Sequence, residues 1–228
     1  MRVKFGAIVV DGRGKLGGFV LGSDRSGHTM KAKKSPINPR SRFQSTQRSY
    51  YSHLSQLWRT LTEEQRREWI EFAKLYTYLN DFGEAFFLTG FNIFIRLNTN
   101  LMSVSAAVLS VPVVPSAFPV VRMTSITFNV GGDSIGFFWS GTIPAGYGVK
   151  FFASRPMNAG VTVVGKNLRY FSLRQGQLTG GADESIDYRT KFGVIGPIGS
   201  RIWGSMSIVQ TSSGFIQNLG IVSKVSTA

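Results

Sequence analysis

The side chains that could carry acid–base or nucleophilic chemistry are few and lie far apart in the sequence. The 228-residue chain has two histidines, His28 and His53, and no cysteine, so thiol catalysis, disulfide bonds and zinc–cysteine clusters are excluded. His28 lies in a basic, glycine-rich stretch and His53 in a predicted helix, and neither has a catalytic partner near it in the sequence. We interpret both as packing or surface residues, and the sequence predicts that the protein is not an enzyme.

One acidic cluster stands out in the C-terminal half, formed by Asp183, Glu184 and Asp187. Oxygen ligands this close in sequence could hold calcium or magnesium, or they could simply lie in a solvated loop. The spacing matches no known calcium loop with its supporting glycine. The pattern therefore favours the solvated loop and predicts neither a metal site nor a cofactor.

A glycine-rich stretch near the N-terminus has the composition of a phosphate-binding loop and spans residues 12–18. It lacks the Gly-x-x-x-x-Gly-Lys-Ser/Thr spacing, and no helix is predicted to begin after it. Arg13 and Lys15, which lie on this stretch, are suited instead to a phosphate backbone or an acidic protein surface.

The positive charge is concentrated at one end of the chain. The net charge is +14, and residues 1–48 contain 11 lysines and arginines against two aspartates. A cationic segment of this kind gives a salt-sensitive attraction to a polyanion, although a merely solvated basic surface is the alternative. The candidate contacts to a polyanion or to an assembly lattice are Arg13, Lys15, Arg25, Lys31, Lys33, Lys34, Arg40 and Arg42.

Composition and periodicity divide the chain into three segments and predict an α+β fold. Residues 1–40 are expected to form an extended basic β-hairpin arm, with β-like runs at 5–10, 16–21 and 28–33 and a proline-containing linker at 35–40. So small a hairpin is marginal in water, and we expect the arm to order against a neighbour.

Residues 41–110 are predicted to form a small bundle of three helices. The first covers 41–59, with apolar residues at helical spacing. Thr62 and Gln65 form a capping box that begins the second helix, and residues 80–83 are a turn. Thr89 can cap a third helix at 90–101.

Residues 111–228 read as an antiparallel, immunoglobulin-like β-sandwich. Short apolar runs alternate with turn residues, and no amphipathic helices intervene. The predicted strands cover residues 120–130, 134–139, 149–153, 168–172, 191–195, 202–210 and 221–225.

The stretch from Trp58 to Trp69 is similar to the segment that joins the last two helices of high-mobility-group boxes, which bend DNA. Residues 90–96 are similar to the first helix of such a box, but here they follow the tryptophan stretch instead of preceding it. Because the order differs, we expect Trp58 and Trp69 to pack in the bundle core and not to intercalate.

A second resemblance covers most of the chain through short motifs. A glycine-rich hairpin is followed by Asn38-Pro39-Arg40-Ser41, Gln44 and Gln47-Arg48, which resembles a pattern in uncharacterised proteins of Bacteroidota and their phages. The next motifs are similar to phage structural proteins: Trp58, Leu61-Thr62, Trp69 and Thr89-Gly90-Phe91-Asn92. The last set resembles immunoglobulin-like domains of such proteins: Tyr188, Lys191-Phe192-Gly193 and the strand from Ile202.

This resemblance implies a bacteriophage virion protein, assembled in the host cytoplasm as a minor capsid, decoration or connector component. Its expected partners are other virion proteins, such as the major capsid protein or neighbouring subunits in an oligomeric assembly, with packaged nucleic acid as a further partner. No apolar run is long enough to predict a membrane span. The alternative is an architectural nucleic-acid-binding protein that contacts the phosphate backbone without strong sequence specificity.

Overall fold

The chain forms two compact units, one of residues 1–96 with 110–112 and one of residues 97–109 with 113–228. Helices and several antiparallel sheets make the fold α+β. The computed structural model describes residues 1–6, 11–35, 37–38, 40–129, 134–164, 167–193 and 196–226. Part of the strand predicted at 5–10, residues 7–10, lies outside the described residues, as do Pro36 and Pro39 of the predicted linker.

The N-terminal residues form a four-stranded antiparallel sheet and not the extended hairpin arm that the sequence predicts. Its strands, in the order β1-β4-β3-β2, are β1 (Arg2–Val3), β2 (Gly14–Leu16), β3 (Phe19–Asp24) and β4 (Gly27–Ala32). The predicted single strand at 16–21 is interrupted by a turn at Gly17, whose φ of +54° suits glycine. The chain start then pairs with β4, and the Met1 carbonyl accepts from the Met30 amide at 2.8 Å. This added pairing turns a marginal hairpin into a sheet.

A short hairpin holds this sheet inside the first unit. Strands β5 (Thr77–Leu79) and β6 (Ala85–Phe87) flank the turn that the sequence predicts at 80–83. Asn80 Nδ2 donates to the Ser26 carbonyl at 2.9 Å, while Asn80 Oδ1 accepts from the amides of Phe82 and Glu84. One side-chain amide therefore shapes the turn and binds the β3–β4 connection.

Helices α1 (Arg42–Thr60), α2 (Glu63–Lys74) and α3 (Gly90–Ser103) lie close to the three predicted ranges, and α2 and α3 begin directly after the predicted capping residues Thr62 and Thr89. The capping box of α2 is confirmed, because Gln65 N donates to Thr62 Oγ1 at 3.3 Å and Thr62 N donates to Gln65 Oε1 at 2.9 Å. Thr89 Oγ1 accepts from Asn92 N at 3.1 Å and caps α3.

The core of the first unit is aromatic. Trp69 is fully buried, its ring lies 5.4 Å from that of Phe94, and its Nε1 donates to the Ser110 carbonyl at 2.9 Å. Trp58 contacts Phe94 at 5.2 Å, so both tryptophans pack as expected and not as exposed wedges. A Cβ on Gly90 would lie 2.8 Å from the Ile70 amide nitrogen, so glycine permits the close approach of α3 to α2.

The second unit contains two antiparallel sheets that share one core. The three-stranded sheet has the order β12-β8-β7, from β7 (Arg122–Asn129), β8 (Ser134–Ile143) and β12 (Leu178–Asp183). The larger sheet is built around β13, which pairs with β9, β10 and β14, and β11 pairs with β9. Its strands are β9 (Tyr147–Ala153), β10 (Met157–Asn158), β11 (Arg169–Gln175), β13 (Ser200–Gln210) and β14 (Ile216–Val225). Large apolar side chains from both sheets, including Phe137, Phe151 and Ile202, fill the space between them.

The strand predicted at 191–195 is wrong, because this part of the chain begins as the end of a helix, α4 (Ser185–Phe192). Asp183 Oδ1 accepts from the Ser185 amide at 3.0 Å at the start of the helix, and basic residues lie in its last turn. Tyr188 anchors α4: it is fully buried and donates from its hydroxyl to the Ser154 carbonyl at 2.9 Å. Residues 194–195 lie outside the described residues.

Candidate polyanion-binding surface

Three of the predicted contact residues share one face of the N-terminal sheet. Lys15 lies opposite Val20, and Val20 lies opposite Lys31, so the two lysines project on the same side, two strands apart. Lys33 continues the β4 ladder, with its amide donating to the Gly18 carbonyl at 2.8 Å, and alternation places it on the same face as Lys31. We call Lys15, Lys31 and Lys33 the distal lysine cluster.

Strand geometry sets the spacing of this cluster. Neighbouring strands lie about 5 Å apart, and residues i and i+2 on one strand about 7 Å apart, so the three Cα atoms fall within about 10–12 Å of each other. All three side chains are exposed. None of them forms an ion pair with the residues that the structure describes.

Arg2 in β1 and Lys4 just after it, by contrast, are paired with carboxylates. Arg2 Nε lies 3.2 Å from Asp81 Oδ2, and Lys4 Nζ lies 2.6 Å from Glu84 Oε1. The hydrogen bond from Lys4 holds the pKa of Glu84 below its usual value. Asp81 and Glu84 therefore compensate Arg2 and Lys4, whereas the distal lysine cluster forms no ion pair with the described residues.

The other five residues predicted to contact a polyanion do not lie together with the distal lysine cluster. Arg13 pairs with Asp11 at 3.2 Å, and Arg25 lies in the turn between β3 and β4, at the opposite end of these strands from Lys33. Lys34 alternates to the other face. Arg40 and Arg42 lead into α1, with Arg40 at a φ of +46°. All five are exposed.

On β2 and β3, the face opposite the distal lysine cluster is apolar. Leu16 lies opposite Phe19, and their side chains are 66% and 45% exposed. The β2–β3 end of the sheet is therefore cationic on one face and apolar on the other.

Closer to β1, Phe5 packs against His28 with 5.0 Å between ring centroids, which gives that histidine a packing role.

The acidic cluster is a structural network and not the solvated loop favoured by the sequence. The side chain of Glu184 is fully buried and accepts from Arg174 Nε at 2.8 Å. Ser172 Oγ lies 2.5 Å from both Glu184 Oε2 and Asp187 Oδ2. Hydrogen bonds from Ser185 hold the pKa of Asp183 below its usual value. Across the described ranges, no group of three or more histidine, cysteine or acidic side chains is arranged to hold a metal ion.

One titratable residue that sequence reasoning did not single out is Lys150, in the central strand β9. It is only 8% exposed, and burial lowers its pKa to about 8. The signal was present in the sequence, because a lysine in the middle of an apolar run predicted to be a strand must bury at least its stem.

In the described part of the chain, no helix has both the length and the apolar character needed to span a membrane. The chain matches no protein-family model, no curated protein and no solved structure.

Proposed function

We propose that the protein is a structural component of a bacteriophage virion, as a minor capsid, decoration or connector protein, and that it attaches to an anionic neighbour through the distal lysine cluster. One observation carries the proposal: Lys15, Lys31 and Lys33 share an exposed face and form no ion pair with the described residues, whereas Arg2 and Lys4 are paired with Asp81 and Glu84. Maintaining like charges side by side costs free energy unless a partner neutralises them.

The second unit suits an interaction or display role within such a particle. We propose that its two antiparallel sheets form an immunoglobulin-like sandwich, supported by the single aromatic and aliphatic core that the sheets share. In this arrangement the first unit attaches the chain, and the second presents a rigid surface to neighbouring subunits in an oligomeric assembly.

Two measurements test this proposal. Mass spectrometry of purified particles from the source should find the chain in stoichiometric amounts, and its absence would remove the virion assignment. In particles assembled with a variant that combines Lys15→Gln, Lys31→Gln and Lys33→Gln, the variant should be incorporated less than the wild type. The matched control removes the same charge from exposed positions of the second unit through Arg122→Gln, Arg155→Gln and Lys224→Gln, and it should be incorporated normally.

Binding to the phosphate backbone of nucleic acid is the second candidate function, supported by the same lysines. A face with three lysines and no ordered set of base-reading side chains is suited to non-specific contact. If the partner is duplex DNA, the affinity for a random duplex should fall steeply with salt, and the triple lysine variant should reduce the slope of log affinity against log salt by up to about 3. Equal slopes for the variant, its control and the wild type would exclude this function and leave an acidic protein surface as the partner.

A further inference from the structure

The turn between β2 and β3 presents two large apolar side chains to solvent. Leu16 and Phe19 flank Gly17 and Gly18, and the two apolar residues are 66% and 45% exposed. Among the described residues, no atom lies within 4 Å of a Cβ built on either glycine. The described part of the protein therefore leaves this turn uncovered. We call residues 16–19 the hairpin tip.

The exposed apolar surface of this face is concentrated at the hairpin tip. Ala32 lies opposite Phe19 and is exposed, whereas Leu21 and Met30, the next pair along the same face, are half-buried. Farther from the tip, a Cβ on Gly12 would lie 3.2 Å from the Leu21 side chain. The N-terminal sheet thus covers its apolar face away from the tip and leaves it bare at the tip.

Lysines surround the same tip. Lys15 directly precedes Leu16, and Lys33 is level with the turn, because its amide donates to the Gly18 carbonyl at 2.8 Å. Lys31 lies two residues from Lys33 on the same strand, about 7 Å farther from the tip. All three lysines are exposed, and none forms an ion pair with the described residues.

This combination of charge and apolar surface restricts the kind of partner. Single exposed apolar residues are ordinary on soluble proteins, so the exposure of Leu16 and Phe19 alone indicates no partner. Nucleic acid or an acidic protein surface would bind the lysines but would offer charged groups to the two apolar side chains. An anionic lipid bilayer provides phosphate groups at its surface and an acyl boundary about 5–10 Å below them.

The dimensions of the tip fit these two layers. The exposed leucine and phenylalanine lie at the turn itself, and the lysines lie between the turn and about 7 Å behind it. Lysine stems are apolar and flexible, so they can lie along the acyl boundary while their ammonium groups stay among the phosphates.

We propose that the hairpin tip inserts Leu16 and Phe19 into the surface of an anionic lipid bilayer, while the distal lysine cluster binds the lipid phosphates. This inference rests on the proposed function in one respect, because the distal lysine cluster is the anionic contact in both. The apolar residues add binding that neither nucleic acid nor an acidic protein surface would provide.

The expected strength follows from the two contributions. Together, Leu16 and Phe19 expose roughly the area of one large apolar side chain. Removing that area from water corresponds to about 10- to 100-fold in affinity. Each lysine near an anionic surface contributes about fivefold, so the distal lysine cluster contributes about 100-fold. We therefore expect reversible binding to anionic bilayers and little binding to zwitterionic ones.

Flotation of the full chain with vesicles tests the proposal. The chain should bind vesicles of equal parts phosphatidylcholine and phosphatidylglycerol, and not vesicles of phosphatidylcholine alone. Leu16→Ser combined with Phe19→Ser should weaken binding about 10- to 100-fold. The matched control, Leu75→Ser combined with Leu79→Ser, changes two residues of the same unit that are each 70% exposed, and it should bind as the wild type does.

A second measurement reports insertion without removing the apolar side chains. In a Phe19→Trp variant, vesicles whose lipids have brominated acyl chains should quench the added tryptophan fluorescence, because bromine quenches only on close approach. Tryptophan suits this position, since its ring is favoured at the membrane interface. This result decides the question if the double serine variant fails to fold.

Two results would overturn insertion: a double serine variant that binds as tightly as the wild type, or a tryptophan at position 19 that brominated lipids do not quench. The proposed function would then still stand if the triple lysine variant is incorporated poorly into particles. Conversely, normal incorporation of that variant would remove the proposed function, while vesicle binding that depends on both the lysines and the apolar pair would support insertion.

Discussion

Replacing Lys150 by methionine should stabilise the protein. Methionine keeps an unbranched stem of similar length for the packing around β9 but has no charge to bury. Burial lowers the pKa of Lys150 from 10.5 to about 8, and this change corresponds to about 3 kcal/mol of differential stability between the charged and neutral forms. We expect Lys150→Met to increase the free energy of unfolding of the second unit by up to about 3 kcal/mol at pH 7.

The pH dependence provides a stricter test of the same reasoning. Below pH 8 the amine is charged in the folded and unfolded states, so the folded wild type bears the full cost of burial. Between pH 8 and 10.5 the unfolded state binds more protons, so the stability of the wild type rises with pH relative to the variant. Above pH 10.5 both states are neutral, and the advantage of the variant should disappear.

Urea denaturation of both proteins at pH 7, 9 and 10.5 measures this difference, because contributions from the other titrating groups are common to the two proteins. Lys224→Met, at an exposed position of β14, is the matched control and should change stability by less than about 0.5 kcal/mol. A Lys150→Met variant that is no more stable than the wild type at pH 7, or whose advantage persists unchanged at pH 10.5, would refute an uncompensated buried amine.

Three other substitutions test the packing and capping of the two units. Gly204→Ala would place a Cβ 2.7 Å from the ring of Phe137, and we expect calorimetry to show a loss of about 1–3 kcal/mol. Thr62→Ala removes the side-chain cap of α2 and should cost about 1 kcal/mol in urea denaturation followed by helical circular dichroism. Arg174→Met leaves the buried carboxylate of Glu184 without its cation and should lower the denaturation midpoint by an equivalent of about 1–3 kcal/mol.

Each of these substitutions has a matched control. Gly18→Ala adds a Cβ with no neighbouring atom within 4 Å and should leave stability nearly unchanged. Thr62→Ser keeps a capping hydroxyl, and Arg122→Met removes an exposed arginine. If a control is as destabilising as its test substitution, the contact assigned to the test residue does not account for the loss.

Helices α1, α2 and α3 and several of the longer strands could be predicted because local signals determine them. Thr62 and Gln65 cap α2 through hydrogen bonds between residues three positions apart, so the local sequence determines where this helix begins. The alternation of apolar residues likewise placed β8, β9 and β13 close to their observed positions. The sequence did not predict helix α4. Its buried residue Tyr188 packs into a core formed by strands that are distant in the sequence, and the residues around it show no helical spacing of apolar side chains.

The candidate surface could be predicted only in part. The excess of cations near the N-terminus is visible in the sequence, but their pairing depends on contacts across more than 70 residues, such as those of Arg2 with Asp81 and Lys4 with Glu84. The strand register, set by the turn at Gly17, then selects which lysines share a face. Sequence composition alone could not show that Lys15 and Lys31 share one face of the sheet whereas Arg13 and Arg25 lie apart from them.

The amide of Asn80, which joins the β3–β4 connection to the β5–β6 turn, has a consequence for handling the protein. This hydrogen bond is made by uncharged groups, so added electrolyte weakens it little. The ion pairs Arg2–Asp81 and Lys4–Glu84, and the proposed attraction between the distal lysine cluster and an anionic partner, weaken as the Debye length shortens. Under the proposed function, elution with concentrated salt should therefore release the chain from an anionic partner while the Asn80 hydrogen bond to the β3–β4 connection persists.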